Sequence, residues 1–461
     1  MGVKRRMAAL LAASLLLPLA ACGGGGGDSG DKSITLWLNE DIADRVRATQ
    51  RIVDGFTKAS GIKVKLVSVA EDQLQQQLTA NAAAGNLPDV IGALPLAAVH
   101  FMATNDLIDQ EATGAVLNAL GPSSFDAQAV RLTRYEGKPA AVPFDAWTQL
   151  LVYRKDLFEK AELPPPETYD RLRDAAAKLN KGGVAGITLA TTPGEAFTEQ
   201  TFEFLANGNG CELVDARGTV TIGSPACVET FRLYTDLAGK YSVKGNQNDD
   251  FTRATYFAGK AAMVVWSPFI LDEMAGLRKD ALPTCPQCAK DPAFLARNSG
   301  FVTALRGPNA SGPGGFGEVS SWAVLKGGAT EPAKRFLQYM GNEGYLDWIK
   351  ITPEGRFPLR KGTATEPERF VSEWARLPVG VDEKKPMSDF YPPEVIEGLR
   401  AGVSEIDRWG LKEGQGKLLG ATLGELPVPK AVSDAVSGRM TPEQAAAQAQ
   451  RQVEQIQKEL R

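Results

Sequence analysis

SITLWLNEDIADRVRATQRIVDGFTKASGIKVKLVSV, residues 33–69, is the stretch that decides the fold. Ser33 to Leu38 reads as a strand. Asp41 to Ser60 reads as a helix, because Val46, Ile52, Val53 and Phe56 recur at helical spacings and Gly61 supplies a stop. Ile62 to Val69 alternates apolar and polar residues and gives a second strand. The pattern repeats downstream. Asp72 to Ala84 is helical, with Leu74 and Leu78 four apart. Pro88-Asp89-Val90-Ile91 opens a third strand, and a helix runs on from about Leu96. This β-α-β-α-β-α order predicts an open, mostly parallel sheet covered by helices, with ligands gathering beyond the carboxyl ends of its strands.

Further along, Gln149 to Arg154 reads as a strand followed by a helix through Ala161. Thr168 is an expected N-cap for a helix to Asn180, and Ser224-Pro225 starts another, Ala226 to Ala238. Ala261 to Trp266 and Ser320 to Leu325 read as strands, with the Gly- and Pro-rich Arg306 to Gly317 as a loop between them. Pro332 to Met340 is helical. Thr441 to Leu460 is a long helix of Gln, Ala and Glu, capped by Thr441-Pro442 with Glu443. No internal repeat is present.

Upstream of residue 33, Lys4, Arg5 and Arg6 form a positive head, and Met7 to Leu19 is apolar apart from Ser14. A run this short is an export signal rather than a membrane span, which needs about 20 apolar residues. Leu19-Ala20-Ala21-Cys22 resembles the lipobox of bacterial lipoproteins, which implies cleavage after residue 21 and a diacylglyceryl anchor on Cys22. The competing reading is an ordinary signal peptide cut after Ala20 or Ala21. Residues 22–32, rich in glycine, then make a tether. About nine flexible residues span roughly 16 Å, against a radius of gyration of roughly 22 Å for a body of this length.

The chain has 461 residues and a formal charge of −4, and loss of the basic head makes the balance more acidic. That argues against nucleic-acid binding and leaves a lipid, rather than a basic patch, to hold a membrane. The length and the 43% of hydrophobic residues suggest two or three domains. A single histidine, His100, argues against a multi-histidine metal site and against Ser-His-Asp catalysis unless His100 is the base; it is expected on a helix near a surface. Beyond Cys22 the cysteines are Cys211, Cys227, Cys285 and Cys288. Outside the cytosol an even number reads as disulfides, and the expected pairs are Cys211–Cys227 and Cys285–Cys288. A four-thiolate zinc site wants two CxxC knuckles, and only Cys285 and Cys288 form one. A redox pair wants a helix start, whereas Pro283 and Pro286 make a loop.

Several segments in order resemble the maltose-binding-type family of solute receptors. They are Leu36 to Asp41, Gly61 to Val64, Gly137-Lys138 with Val142-Pro143, Leu151 to Phe158 and Pro165 to Tyr169. Phe257-Ala258-Gly259-Lys260-Ala261-Ala262-Met263 and the unit Ala323 to Leu337 complete the series. The resemblance spans Ile34 to Leu460. It implies an α/β fold of the type II periplasmic-binding-protein kind: two α/β lobes joined by crossing segments that close on a ligand. One lobe would hold residues 33–142 plus 302–343, the other 143–301 plus 344–461. The implied role is a non-catalytic, monomeric receptor without cofactor or metal. It would pass a carbohydrate to the permease of an ATP-driven importer.

A sugar needs aromatic rings for its C–H faces and fixed polar groups for its hydroxyls. Trp37, Asn39, Glu40 and Asp41 stand at the end of the first strand, and a family contact falls at Asp41; Asn39 or Asp41 could equally cap the following helix. Asp145 and Trp147 share one side of a strand, and the family often places a contact at Trp147; hinge packing is the alternative. Family members stack a sugar at the position of Trp266 or Phe269, which could instead be core aromatics. Phe316, Glu318 and Ser320 lead into the family's ligand-touching strand, and Arg356 lies in its late lobe-edge loop, as a contact or as a surface arginine. Where many maltose binders carry a Trp and an Asp this chain has Leu94-Pro95-Leu96, so the sugar class stays open. The rival functions are a receptor for another solute such as a glycerophosphodiester, a lipid-anchored glycoside hydrolase and a tethered adhesion module. No G-x-S-x-G, phosphate loop of the G-x-x-x-x-G-K-[ST] type or HExxH supports an enzyme.

Overall fold

A computed structural model describes residues 33–70 and 73–460. The expected signal peptide (1–21), the tether (22–32) and the lipidation site Cys22 lie outside the described residues. The opening pattern folds as β1 (Ser33–Asn39), α1 (Ala43–Ser60), β2 (Lys63–Val69), α2 (Leu74–Ala84), β3 (Val90–Leu94) and α3 (Leu96–Thr104). α1 stops because Gly61 takes a left-handed conformation, φ 73°, and returns its N–H to the carbonyl of Thr57. β1 lies between β2 and β3, parallel to both, in register from Ser33 opposite Lys63 to Asn39 opposite Val69.

The first sheet has six strands but is only half parallel. Its order is Phe357–Pro358, Val142–Thr148, Gly317–Val324, β3, β1, β2, and the three strands beyond β3 are antiparallel to their neighbours. The second sheet is antiparallel, with Leu150–Arg154 between Met263–Trp266 and Ser299–Val302. Isolated parallel bridges of Ala185 to Ala261 and Thr188 to Val264 widen it. Helices cover both sheets, giving two α/β lobes. One continuous apolar core runs through both, with Leu36, Val90 and Phe336 on the side of the first sheet and Leu151, Val264 and Phe202 on the side of the second.

The chain passes between the sheets with one residue to spare. Val142–Thr148 belongs wholly to the first sheet and Leu150–Arg154 to the second, so the crossing falls at Gln149 rather than after Val142. The return strand Gly317–Val324 pairs with residues 142–148 and so holds them in the first sheet. Residues 344–358, expected with the second lobe, also sit on the first: Tyr345–Ile349 packs on α1, and Phe357 pairs with Ala146.

The tail is shared. Pro427–Val436 and Pro442–Glu459 pack on Pro225–Lys240 of the second lobe, whereas Gly416–Glu425 packs on α3 of the first. His100 lies on α3 as expected but is 5% exposed, not near a surface. The reason is Gly416, where a Cβ would stand 2.4 Å from the imidazole, so only glycine allows this approach. The His100 Nε2 lies 2.8 Å from the carbonyl of Leu132. Both expected cystine pairs are present, Cys211–Cys227 and Cys285–Cys288. Thr168 and Ser224 cap their helices as expected. Thr441 forms a capping box with Gln444 rather than with Glu443, because the reciprocal side chain is the third residue after the cap.

Candidate functional site

The two sheets turn matching edges toward each other. In the first sheet β1 ends at Asn39 and β3 at Leu94. Ser321 pairs with Leu94, so Gly317–Ser320 extends past the end of β3. At the same edge Thr148 stands opposite Gly317, Trp147 opposite Glu318 and Asp145 opposite Ser320. Phe357 opposite Ala146 brings Arg356 to this edge as well. In the second sheet Leu150 pairs with Trp266, and Leu151 with Val302. Since only Gln149 links Thr148 to Leu150, this second edge meets the first.

That meeting collects Asn39, Glu40, Asp41, Asp145, Trp147, Phe316, Glu318, Ser320 and Arg356 from one lobe with Trp266 and Phe269 from the other. Trp37 does not join them. It is 7% exposed and packs in an apolar cluster with Val69, Leu78, Ile91 and Leu94. Lying two residues short of the strand end, it points into the layer between sheet and helices rather than over the edge.

At the end of β1 no side chain caps α1, whose N-cap is Ile42, so the capping role considered for Asn39 and Asp41 is not taken up. Asn39 donates from Nδ2 to the Ala93 carbonyl at 3.3 Å, while its buried Oδ1 makes no hydrogen bond among the described residues. Asp41 is exposed. Glu40 accepts from the Ile42 N–H at 3.1 Å and from Arg45 at 3.2 Å, and lies 3.6 Å from Arg356.

Asp145 and Arg356 are both buried. The Trp348 indole N–H donates to Asp145 Oδ2 at 2.7 Å. Burial pushes the Asp145 carboxyl up to about 6, against the pull of Arg356. Arg356 is not a surface arginine: it is 5% exposed and lies 3.8 Å over the Trp348 ring. Burial lowers its guanidinium to about 10, with Asp145 and Glu40 acting the other way. The pair fixes one corner of the cleft.

The aromatic walls come from both lobes and are partly exposed. Trp147 packs on Phe316 at 5.8 Å between centroids, and Trp266 packs on Phe197 at 5.0 Å. The buried Nε1 of Trp266 has no hydrogen-bond partner among the described residues. Phe269 carries the Arg45 guanidinium 5.0 Å from its centroid, so the two lobes touch there. A Cβ on Gly355 would stand 2.2 Å from the Phe269 ring, which explains glycine at that position.

Sequence reasoning missed a second set of residues. Phe316 is 1% exposed, and the guanidinium of Arg408 sits 4.6 Å over its ring. Arg408 pairs with Glu318 and lies 3.3 Å from Glu203 and 3.9 Å from Glu199. Glu318 also accepts the Leu96 N–H at the start of α3, at 2.8 Å. Glu199 and Glu203 lie on the helix Ala196–Asn207. The available signal was their i, i+4 spacing amid apolar Phe197, Phe202, Phe204 and Leu205, which puts carboxylates on a buried face. Arg408 sits in irregular chain and gave no signal. Gln149 was passed over as a strand residue. It is fully buried, and neither side-chain amide atom is bonded among the described residues.

The arrangement is thus a polar seam with aromatic walls. Its buried acceptors without donors among the described residues include Asn39 Oδ1 and Gln149 Oε1. Hydroxyl groups supply such donors. Among the described residues no group of three or more His, Cys, Asp or Glu could hold a metal ion, and no helix is long and apolar enough to cross a membrane.

Comparison with known proteins places this geometry. Residues 39–346 match the family model described as bacterial extracellular solute-binding protein. The putative ABC transporter periplasmic-binding protein YcjN of Escherichia coli (strain K12) is 28% identical over 331 residues, 70% of this chain and 72% of that one. The mannitol-binding protein of Pseudomonas aeruginosa is 26% identical over 411 residues, 84% of this chain and 85% of that one. Among solved structures, the GacH receptor of Streptomyces glaucescens, determined unliganded and with acarbose, superposes with a TM-score of 0.69 at 22% identity. That match covers 92% of this chain and 98% of the receptor.

Proposed function

Because the chain belongs to the bacterial extracellular solute-binding protein family, we propose that it is the substrate-binding lipoprotein of an ABC importer. It closes two lobes on a carbohydrate and hands it unaltered to the membrane permease. The observation that carries this reading is the edge-to-edge meeting of the two sheets, with partly exposed Trp147, Trp266 and Phe269 beside buried acceptors that have no donor among the described residues. Pyranose faces stack on such rings, and hydroxyls donate to such oxygens.

In this reading Asn39, Glu40, Asp41, Ser320 and Gln149 meet hydroxyls, and Trp147, Trp266 and Phe269 meet ring faces. Asp145, Glu318, Phe316 and Arg356 hold the cleft's own groups in place. The excess of acceptors argues for an uncharged polyhydroxy ligand and against a phosphodiester, whose oxygens would face carboxylates. A linear polyol is the second reading, supported by the likeness to the mannitol-binding protein along 84% of the chain. The sequence around Cys22 supports a lipid anchor that keeps the receptor at the outer face of the cell membrane, and the protein acts as a monomer without a cofactor.

The test is a thermal-shift screen of the purified protein with neutral oligosaccharides, linear polyols and glycerophosphodiesters, since a ligand that binds the folded state raises the melting temperature by mass action. Any hit is then incubated for hours and the mixture analysed for products. A stoichiometric complex without products supports the receptor; turnover supports the hydrolase; a shift only with phosphodiesters replaces the ligand class.

A further inference from the structure

Three segments cross between the lobes side by side. The Gln149 N–H donates to the Phe316 carbonyl at 2.8 Å, and Phe316 bridges Asp407 in parallel. The third crossing is the run from Ile406 to Trp409. Ile406 gives its carbonyl to Gln128 of the first lobe, while the Trp409 indole N–H donates to the Cys211 carbonyl in the second. Arg408 therefore sits at the pivot. Around it stand Glu318 from the first lobe, 8% exposed, and Glu199 and Glu203 from the second, 2% and 0% exposed.

One guanidinium faces three carboxylates. The other charged groups of the neighbouring chain do not redress this. Lys412 binds Glu212 at 2.6 Å and Asp407 at 3.0 Å, and lies 3.9 Å from Glu413, so it is engaged outside the cluster. From α3 the cluster receives only the uncharged Leu96 N–H, and from the tail the Trp409 N–H, which donates to Glu203 Oε1 at 2.8 Å. With all carboxylates ionised, both Glu199 oxygens and Glu203 Oε2 have no donor among the described residues. A dry, unbalanced group of this kind sheds charge by taking a proton.

We propose that this cluster is a proton-linked hinge: closing the lobes takes up one proton from solvent, shared between Glu203 and Glu199, and opening returns it. The proton converts the Glu203 carboxylate to a carboxylic acid whose O–H donates to a Glu199 oxygen, leaving Glu199 and Glu318 to balance Arg408. Burial raises all three carboxyls. The rise is largest for Glu203, the most deeply buried of the three. Burial alone would lower Arg408, but Glu203, Glu318 and Glu199 together outweigh it, so the arginine stays charged. Opening moves Glu318 away from Glu199 and Glu203 and admits water, which restores ordinary carboxylates. The closed form binds more protons, so closure is favoured as the pH falls through the raised value and is lost as the pH rises through it.

This hinge does not depend on which solute the cleft takes, so its test uses the ligand-free protein. Small-angle scattering from pH 8 to pH 5 reads the radius of gyration of wild type, Glu203→Gln and Glu199→Gln, each first checked for a cooperative melt. The closed-to-open ratio of wild type should rise up to tenfold per pH unit within the window, seen as a falling radius. Glu203→Gln, whose amide donates permanently, should stay compact at every pH. A wild-type radius independent of pH overturns the proposal. So does a wild-type response that persists unchanged in both variants.

Discussion

Trp348 holds Asp145: the indole N–H of one donates to the buried carboxylate of the other at 2.7 Å, across 203 positions of sequence. The contact joins the short helix Tyr345–Ile349 to the strand Val142–Thr148 and sets the floor on which Arg356 lies. Trp348→Phe removes the donor and part of a fully buried ring, so it should cost at least the roughly 1–3 kcal/mol of a buried acceptor losing its partner, plus the cavity left by the lost five-membered ring. Urea denaturation of the two proteins at pH 7 measures the difference.

Asp145 also makes stability depend on pH. Its carboxyl titrates at about 6 in the folded protein, above its usual value near 3.8. The folded state therefore binds the proton more tightly than the unfolded chain. That contribution is complete below pH 4 and is lost as the pH rises through 6. Urea midpoints from pH 4 to pH 7 should show a decline in wild type that is shallower in Asp145→Asn.

Two tryptophans should respond in opposite ways. Trp147→Ala, in the cleft wall and only partly buried, should destabilise the free protein less than Trp37→Ala and abolish the shift given by a sugar that binds wild type. Trp37→Ala, in the apolar cluster, should lower the stability of the free protein by about 3–5 kcal/mol. Thermal melts with and without that sugar separate the two roles.

Gly416→Ala should be destabilising, because its Cβ would stand 2.4 Å from the His100 ring. Overpacking of this kind costs about 1–3 kcal/mol. Gly416→Ala combined with His100→Ala should recover part of the loss, and the double-mutant cycle gives the coupling between the helix Gly416–Glu425 and α3.

Replacing Cys211 and Cys227 by serine should cost about 3 kcal/mol, as expected for a loop of their 16-residue separation. The pair Cys285 and Cys288, three apart, closes a far shorter loop, and serine there should cost less. Melts of the two double variants, against wild type with and without reductant, check the ranking.

The fold was legible wherever local chemistry repeats. β1, α1, β2, α2 and β3 declare themselves by period and by Gly61, and the three expected caps are in place. What stayed hidden depends on contacts distant in sequence. The strand Gly317–Val324 enters between β3 and Val142–Thr148 and makes half of the first sheet antiparallel, which no periodicity encodes. The residues at strand ends could be assigned to the sheet edge because the pattern shows where those strands stop. Trp37 could not be separated from them, since its type suits a core as well as a wall. Arg408 escaped because an irregular segment gives a buried charge no pattern. His100 was misplaced because its cover, Gly416, comes more than three hundred residues later.

The position of Gly317–Val324 also bears on how the chain is made. Until that strand emerges from the ribosome, β3 and Val142–Thr148 are both raw borders without their shared neighbour, and the earlier half of the protein cannot finish its sheet. Completion waits for a segment from the last third of the polypeptide.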